Sequence, residues 1–386
     1  MRNLYPATQA DVAPAWKAAP VYLCLFLLVV LQFIPTASAQ TADRLANAKA
    51  IKILEYLRQL PTHPIHRVVS GQYIGSAACC SPSENPEFGA MKYVEDLYKS
   101  TGKMIGMVGA DYNDFNNAYG DKLAPLYGKP VNYTTLNTLL KKYSRGGSLI
   151  TIGWHARNPW TGRAWSDLSR LGRLRDLIDP NQRVHAAWIE ELDAVAEGLK
   201  DLQSADVVVL WRPFLEMNGR WFWWGATEPS QAEFRDVWTH MFQYFTQSKG
   251  LHNLLWVFSP NNSFPSNADQ KAPIFYYPGS DFVDIAAVDD YHDTTTISQY
   301  DELSKLGKPL ALGEKGPSMR TAGKGSMTYA TLNTTLTRKY PLVSYFQAWA
   351  GPHAIINNIG AYQLMNDPMT ANQPNVAQSL GLLLQP

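Results

Sequence analysis

Asp206-Val207-Val208-Val209-Leu210-Trp211-Arg212 carries five consecutive apolar residues between two charged ones, breaks at Pro213 and passes through Phe214-Leu215 to Glu216. A strand that is apolar at successive rather than alternate positions is buried on both faces, as in a parallel sheet. Working outward, runs of the same kind recur at Arg67–Ser70, Met104–Ala110, Ser148–Trp154, Leu254–Ser259, Val283–Val288, Pro309–Gly313 and Leu342–Ala348, eight in all, with room for a helix between most neighbours. Two of those helices are directly legible. After Asn181, residues Val184, Trp188, Leu192, Val195 and Leu199 repeat at three- and four-residue steps, and beyond Ser230 so do Phe234, Val237, Trp238, Met241, Phe242 and Phe245. The segment Asp43–Leu60 also reads as a helix, packing before the first strand. Eight strands alternating with helices over ~300 residues indicate a (β/α)8 TIM barrel, with an open doubly wound sheet as the alternative.

The first forty residues differ from the rest. Arg2 and Lys17 precede an apolar run from Val21 to Ile34, followed by Ala37-Ser38-Ala39-Gln40. This is the pattern of a secretory signal peptide, and the run is shorter than the ~20 residues a membrane-spanning helix needs. Cleavage after Ala39 is therefore expected, leaving residues 40–386 as one catalytic barrel that is secreted and has no membrane association. Of three cysteines, Cys24 falls in the leader, and Cys79 and Cys80 are adjacent, so they cannot staple distant segments and make a poor metal site. In a host that glycosylates, Asn132-Tyr133-Thr134, Asn261-Asn262-Ser263 and Asn333-Thr334-Thr335 are acceptor patterns.

With 34 Lys+Arg against 33 Asp+Glu, the chain has no electrostatic footprint for nucleic acid. Its 12 Trp, 20 Tyr and 14 Phe are instead an excess of flat side chains, suited to stacking on sugar faces. In a barrel, chemistry sits where strands end. Strand four runs through Val207-Val208-Val209-Leu210 into the segment that carries Glu216, followed by four successive aromatics, Trp221-Phe222-Trp223-Trp224, which are hard to bury as core in a loop and suit stacking, with loop packing as the alternative for Trp223 and Trp224. Strand seven, Pro309-Leu310-Ala311-Leu312-Gly313, ends on Glu314. Two carboxylates facing each other across a barrel mouth meet the requirement of retaining glycoside hydrolysis, one as nucleophile and the other as a proton donor kept neutral by its surroundings.

Trp211-Arg212-Pro213-Phe214-Leu215-Glu216-Met217-Asn218-Gly219, with Trp221-Phe222-Trp223-Trp224-Gly225, closely resembles the signature of glycoside hydrolase family 26, best known for endo-β-1,4-mannanases. The resemblance extends from Ser70-Gly71-Gln72 through Trp154-His155, Asn158-Pro159, Tyr276-Tyr277-Pro278-Gly279, Asp289-Asp290-Tyr291, Gly313-Glu314 and Trp349 to Asn366-Asp367-Pro368. It implies Glu216 as acid/base and Glu314 as nucleophile. By the same resemblance Tyr291 contacts the nucleophile, His155 and Asp289 surround the sugar at the cleavage point, Trp221 and Trp349 wall that subsite, and Arg212 stands near the nucleophile. The implied substrate is a polysaccharide or oligosaccharide, and the mechanism needs no metal or organic cofactor. The oligomeric state is left open.

One position departs from the family pattern: the residue before the acid/base is typically histidine, and here it is Leu215. Leucine cannot hydrogen-bond a sugar hydroxyl, and such bonds strengthen in the transition state by several kcal/mol. The expected activity is therefore endo-β-1,4-mannanase-like. A β-glucanase, a xylanase or an exopolysaccharide hydrolase of the same mechanism stands as the alternative, as does a non-catalytic carbohydrate-binding barrel.

Overall fold

In the computed structural model, which describes residues 40–76, 92–112, 133–262 and 270–382, the eight apolar runs form parallel strands. They are β1 (Val68–Ser76), β2 (Met107–Asp111), β3 (Leu149–Trp154), β4 (Val209–Pro213), β5 (Leu254–Phe258), β6 (Ile285–Asp290), β7 (Leu310–Lys315) and β8 (Val343–Ala348). Each pairs with the next, and β1 pairs with both β2 and β8, so the sheet closes into a barrel; a short β9 (Thr370–Ala371) adds to β1 from outside the ring order. The expected (β/α)8 barrel is thus the observed fold, and the open sheet is excluded by the β1–β8 pairing.

The strands differ from their apolar runs mainly at their C-terminal ends. β1, β6 and β7 continue into Gln72, Asp289-Asp290 and Glu314-Lys315, polar residues that are nonetheless buried. β4 starts only at Val209 because Asp206, at φ 56°, still belongs to the turn that leaves the preceding helix.

Among the described residues the helices are α1 (Ala48–Gln59), α2 (Lys92–Thr101), α3 (Thr134–Arg145), α4 (Arg183–Ser204), a short α5 (Trp223–Ala226), α6 (Gln231–Gln243), α7 (Tyr300–Ser304), α8 (Leu332–Lys339), α9 (Ala361–Asn366) and α10 (Gln373–Ser379). α4 buries Trp188, Leu192, Val195, Leu199 and Leu202, and α6, opened by a Ser230–Glu233 capping box, buries Phe234, Val237, Trp238, Met241 and Phe242. α1 begins later than expected, at Ala48, because Asn47 supplies the N-cap through Ala50 N, while Asp43 binds the backbone of Leu45 and the ring of His252.

Two apolar clusters result. One fills the layer between strands and helices, and the other fills the barrel interior, where Ala50, Ile53, Leu54 and Leu57 of α1 join Val69, Met107, Leu210, Leu255, Val257 and Tyr345. α1 therefore plugs one end of the barrel. Toward the other end the inward positions change character. Gly71, Gly109 and Gly313 leave no room for a Cβ, which would strike Gln347, Gln347 again and Ser259 respectively. On Gly153 a Cβ would lie 2.8 Å from Asp111 Oδ2. Strands that give up a side chain here create the space for a buried polar layer beneath the mouth.

Candidate active site

β4 delivers Glu216 through a strained turn. Phe214 and Glu216 both adopt positive φ, 50° and 53°, on either side of Leu215. Non-glycine residues occupy that region at a cost of order 1–3 kcal/mol and persist only where the surroundings over-determine them. Here Glu216 N donates to Ser259 O at 2.8 Å, Trp224 Nε1 donates to Leu215 O at 2.9 Å, and Phe214 is boxed by Trp188, Trp223, Trp224, Phe234 and Trp238.

The box corrects one expectation. Trp223 and Trp224 have no exposed surface and Phe222 is buried, so the aromatic run is packing for the turn and not a stacking platform. α5 folds the pair back beneath the loop, Trp223 Nε1 donates to Ala156 O at 2.8 Å, and Gly225 passes so close to the Gly219 carbonyl that a side chain there would collide with it. Only Trp221 of the four is half-exposed, and its Nε1 donates to Glu216 Oε2 at 2.6 Å.

The expected residues converge at the C-terminal ends of the strands. One oxygen each from Glu216, Asp289 and Glu314 lie within 4.8 Å of one another. Glu314 Oε1 accepts from Arg212 Nη2 at 2.8 Å, and its Oε2 accepts from the Tyr291 hydroxyl at 2.6 Å. Burial and the Glu314 charge push the Tyr291 phenol well above its ordinary value, so it stays a donor. Glu216 accepts from Asn261 Nδ2 at 2.6 Å through Oε1 as well as from Trp221. Burial first, and the Glu314 charge second, raise the Glu216 carboxyl to about 7 against the pull of those two donors. The two glutamates thus stand in opposite settings, Glu314 against a fixed cation and Glu216 in a pocket that holds a proton.

Arg212, expected near the nucleophile, and Asp289, expected around the sugar, have 1% and 0% of their surface exposed. Arg212 Nη2 also reaches both Asp289 oxygens, at 3.2 and 3.3 Å, and Ser259 Oγ donates to Asp289 Oδ1 at 2.7 Å. Burial and Glu314 push Asp289 well up, while Asp289 and Glu314 together outweigh the burial of Arg212 and keep it protonated. Arg212 thus stands beside Glu314, and Asp289 is held by Arg212 and Ser259 in the same buried cluster.

His155 is fixed by Asp111, with Nδ1 2.6 Å from Asp111 Oδ2. Burial disfavours the imidazolium, but Asp111 and then the two glutamates outweigh it, so the ring is raised. Its neighbours are aromatic: Trp165 at 5.1 Å, Phe222 at 5.2 Å and Trp349 at 6.2 Å. Trp349 itself is half-exposed, stacked on Tyr73 at 3.9 Å, and its carbonyl accepts from Gln72 Nε2 at 3.1 Å.

Sequence reasoning missed Asn261, Asp111, Tyr73 and the buried Lys315–Asp290 ion pair next to Glu314. Asp111 ends an apolar run as Glu216 does, and that signal could have found it. Asn261 was read as a glycan acceptor, but its amide is engaged by Glu216 and Gln270; Asn333 has no exposed surface and bonds Thr370. Asn132, Cys79 and Cys80 lie outside the described residues.

The sequence profile of glycosyl hydrolase family 26 matches residues 42–375. A mannan endo-1,4-beta-mannosidase of Bacillus subtilis is 31% identical over 371 residues, covering 92% of this chain and 96% of its own, and the mannan endo-1,4-beta-mannosidase A and B of Caldalkalibacillus mannanilyticus is 31% identical over 376 residues, covering 93% and 68%. Among solved structures, a Bacillus subtilis mannanase superposes with a TM-score of 0.75 at 27% identity over 87% of this chain and 95% of that one. A profile match across nearly the whole barrel and relatives of this identity leave one conclusion: the chain is a member of glycosyl hydrolase family 26.

Proposed function

We propose that this glycoside hydrolase cleaves internal β-1,4 linkages of a mannan-type polysaccharide with retention of configuration, using Glu314 as nucleophile and Glu216 as acid/base. The observation that carries the reading is the approach of the two carboxylates, with oxygens within 4.8 Å. Retaining enzymes hold their carboxyl groups roughly 5–5.5 Å apart, whereas inverting ones leave roughly 6.5–9.5 Å for a water.

In the first step Glu314, oriented by the Arg212 guanidinium and the Tyr291 hydroxyl, attacks the anomeric carbon while Glu216 gives its proton to the departing glycosidic oxygen. In the second, Glu216 removes a proton from water, which displaces Glu314 from the glycosyl-enzyme. Trp349, propped on Tyr73, and Trp221 form the aromatic walls against the sugar. The Leu215 side chain is 1% exposed and offers no hydrogen bond; His155, raised by Asp111 and then by the two glutamates, is a polar side chain near both of them.

The names of the relatives support β-1,4-mannan as substrate. The charged, apolar and small-residue segments of residues 1–39 support export and removal of that leader, with action outside the cytoplasm on a polymer too large to enter it. Among the described residues no helix is long and apolar enough to cross a membrane.

The test is reducing-end release by residues 40–386 on mannans, β-glucans, xylans and bacterial exopolysaccharides, with Glu314→Ala beside it. The proposal expects release from mannan that falls by roughly 10³-fold or more in the variant. Saturable binding without release would replace it with a carbohydrate-binding role, and release from another polymer alone would replace the substrate.

A further inference from the structure

Asn261 follows β5 by three residues, and its backbone is clamped by a residue of the β4 turn. Asn261 N donates to Asn218 Oδ1 at 2.8 Å, and Asn218 Nδ2 donates to Asn261 O at 2.9 Å and to Lys271 O at 3.0 Å. Asn218 is itself buried and stands two residues after Glu216. The side chain of Asn261 is held at both ends: Nδ2 donates to Glu216 Oε1 and Oδ1 accepts from Gln270 Nε2, each at 2.6 Å. The direction of this relay follows from chemistry. An ionised carboxylate only accepts, so Asn261 must turn its NH2 to Glu216, and its oxygen then needs the donor that Gln270 supplies.

On the reading of Glu216 as acid/base, we propose that Asn261, oriented by Gln270, is a positioning residue that sets how tightly Glu216 holds its proton. Glu216 must be an acid in one half of the reaction and a base in the other. Burial and the facing charge of Glu314 on β7 favour the protonated form; buried Asp289 on β6, itself raised by burial and by the two glutamates, stands in the same cluster. Against them stand His155 beyond β3 and the two N–H donors; Arg212 of β4 and the Tyr291 hydroxyl beyond β6 act on Glu314. Donors to the charged form of a carboxyl lower its proton affinity. Among the described residues Asn261 supplies one of the two side-chain donors to the Glu216 carboxyl, the other being Trp221. Without Asn261 the proton stays on Glu216 to higher pH, and general-base removal of a proton from water slows.

The experiment compares pH profiles of kcat/KM for wild type, Asn261→Leu, Gln270→Leu and Glu216→Gln on a soluble β-1,4-mannooligosaccharide. Asn261→Leu should move the alkaline limb up by about one pH unit, and Gln270→Leu should move it the same way by less, with the acid limb unchanged. A structural role alone would lower kcat and leave the limb where it was, so an unmoved or lowered limb in Asn261→Leu overturns the proposal. Glu216→Gln separates the two levels of argument. It should abolish the alkaline limb; if it retains the wild-type limb, the acid/base reading fails and the inference with it. Where Asn261→Leu is too slow to profile, the carboxyl stretch of Glu216, taken as the infrared difference against Glu216→Gln, reports the same titration without turnover.

Discussion

Lys315→Met should destabilise the protein by about 3 kcal/mol, the low end of the 3–5 kcal/mol expected when one partner of a buried ion pair is removed. Lys315 and Asp290 have no exposed surface, and Lys315 Nζ donates to Asp290 Oδ2 at 2.9 Å and to the His292 carbonyl. The low end applies because Asp290 keeps two donors after the substitution, His292 Nδ1 at 2.7 Å and Asn262 Nδ2 at 3.0 Å. Asp290→Asn should cost more, because it leaves a buried ammonium without its counter-charge, held among the described residues by the His292 carbonyl. The double variant Lys315→Met/Asp290→Asn removes both charges and should recover most of the loss, giving a coupling energy of roughly 2–3 kcal/mol. At about 2 °C per kcal/mol for a chain of this size, Lys315→Met lowers Tm by roughly 6 °C in calorimetry. Additive costs, with the double variant as poor as the sum of the singles, would refute the reasoning that the two charges exist to satisfy each other.

Two further outcomes concern turnover. Glu216, raised to about 7 by burial and then by Glu314, donates its proton only while protonated, so kcat/KM should fall as pH rises through about 7; a profile flat to pH 9 would contradict this. Tyr291→Phe removes the donor on Glu314 Oε2 and should lower kcat/KM by roughly tenfold or more, as expected for loss of a hydrogen bond to a charged group, with little change in Tm.

The barrel was legible because strands buried on both faces leave unbroken apolar runs, and Val207–Trp211 is the plainest of them. What those runs concealed is the polar layer at the mouth. Gln72, Asp289-Asp290 and Glu314-Lys315 belong to strands and are buried, but as polar residues they carry no apolar signal, so each strand reads as ending early. Glu314 is legible because it directly follows an apolar run, and Glu216 because it stands a few residues beyond one, before a run of aromatics. Asn261 is not, because a neutral amide beyond a proline reads as surface loop until the carboxylate it serves is in place. The misreading of Trp223 and Trp224 has the same root: a turn with two residues at positive φ needs an apolar box, and neither the strain nor the box shows in a linear run of aromatics.

The central claim is double displacement at Glu314 with Glu216 as acid/base. Proton NMR of the anomeric region during the first minutes of β-1,4-mannooligosaccharide cleavage tests it most directly, since mutarotation has not yet mixed the products. The account predicts that the β-anomer of the newly formed reducing end appears first; first appearance of the α-anomer would mean direct displacement by water and would contradict it.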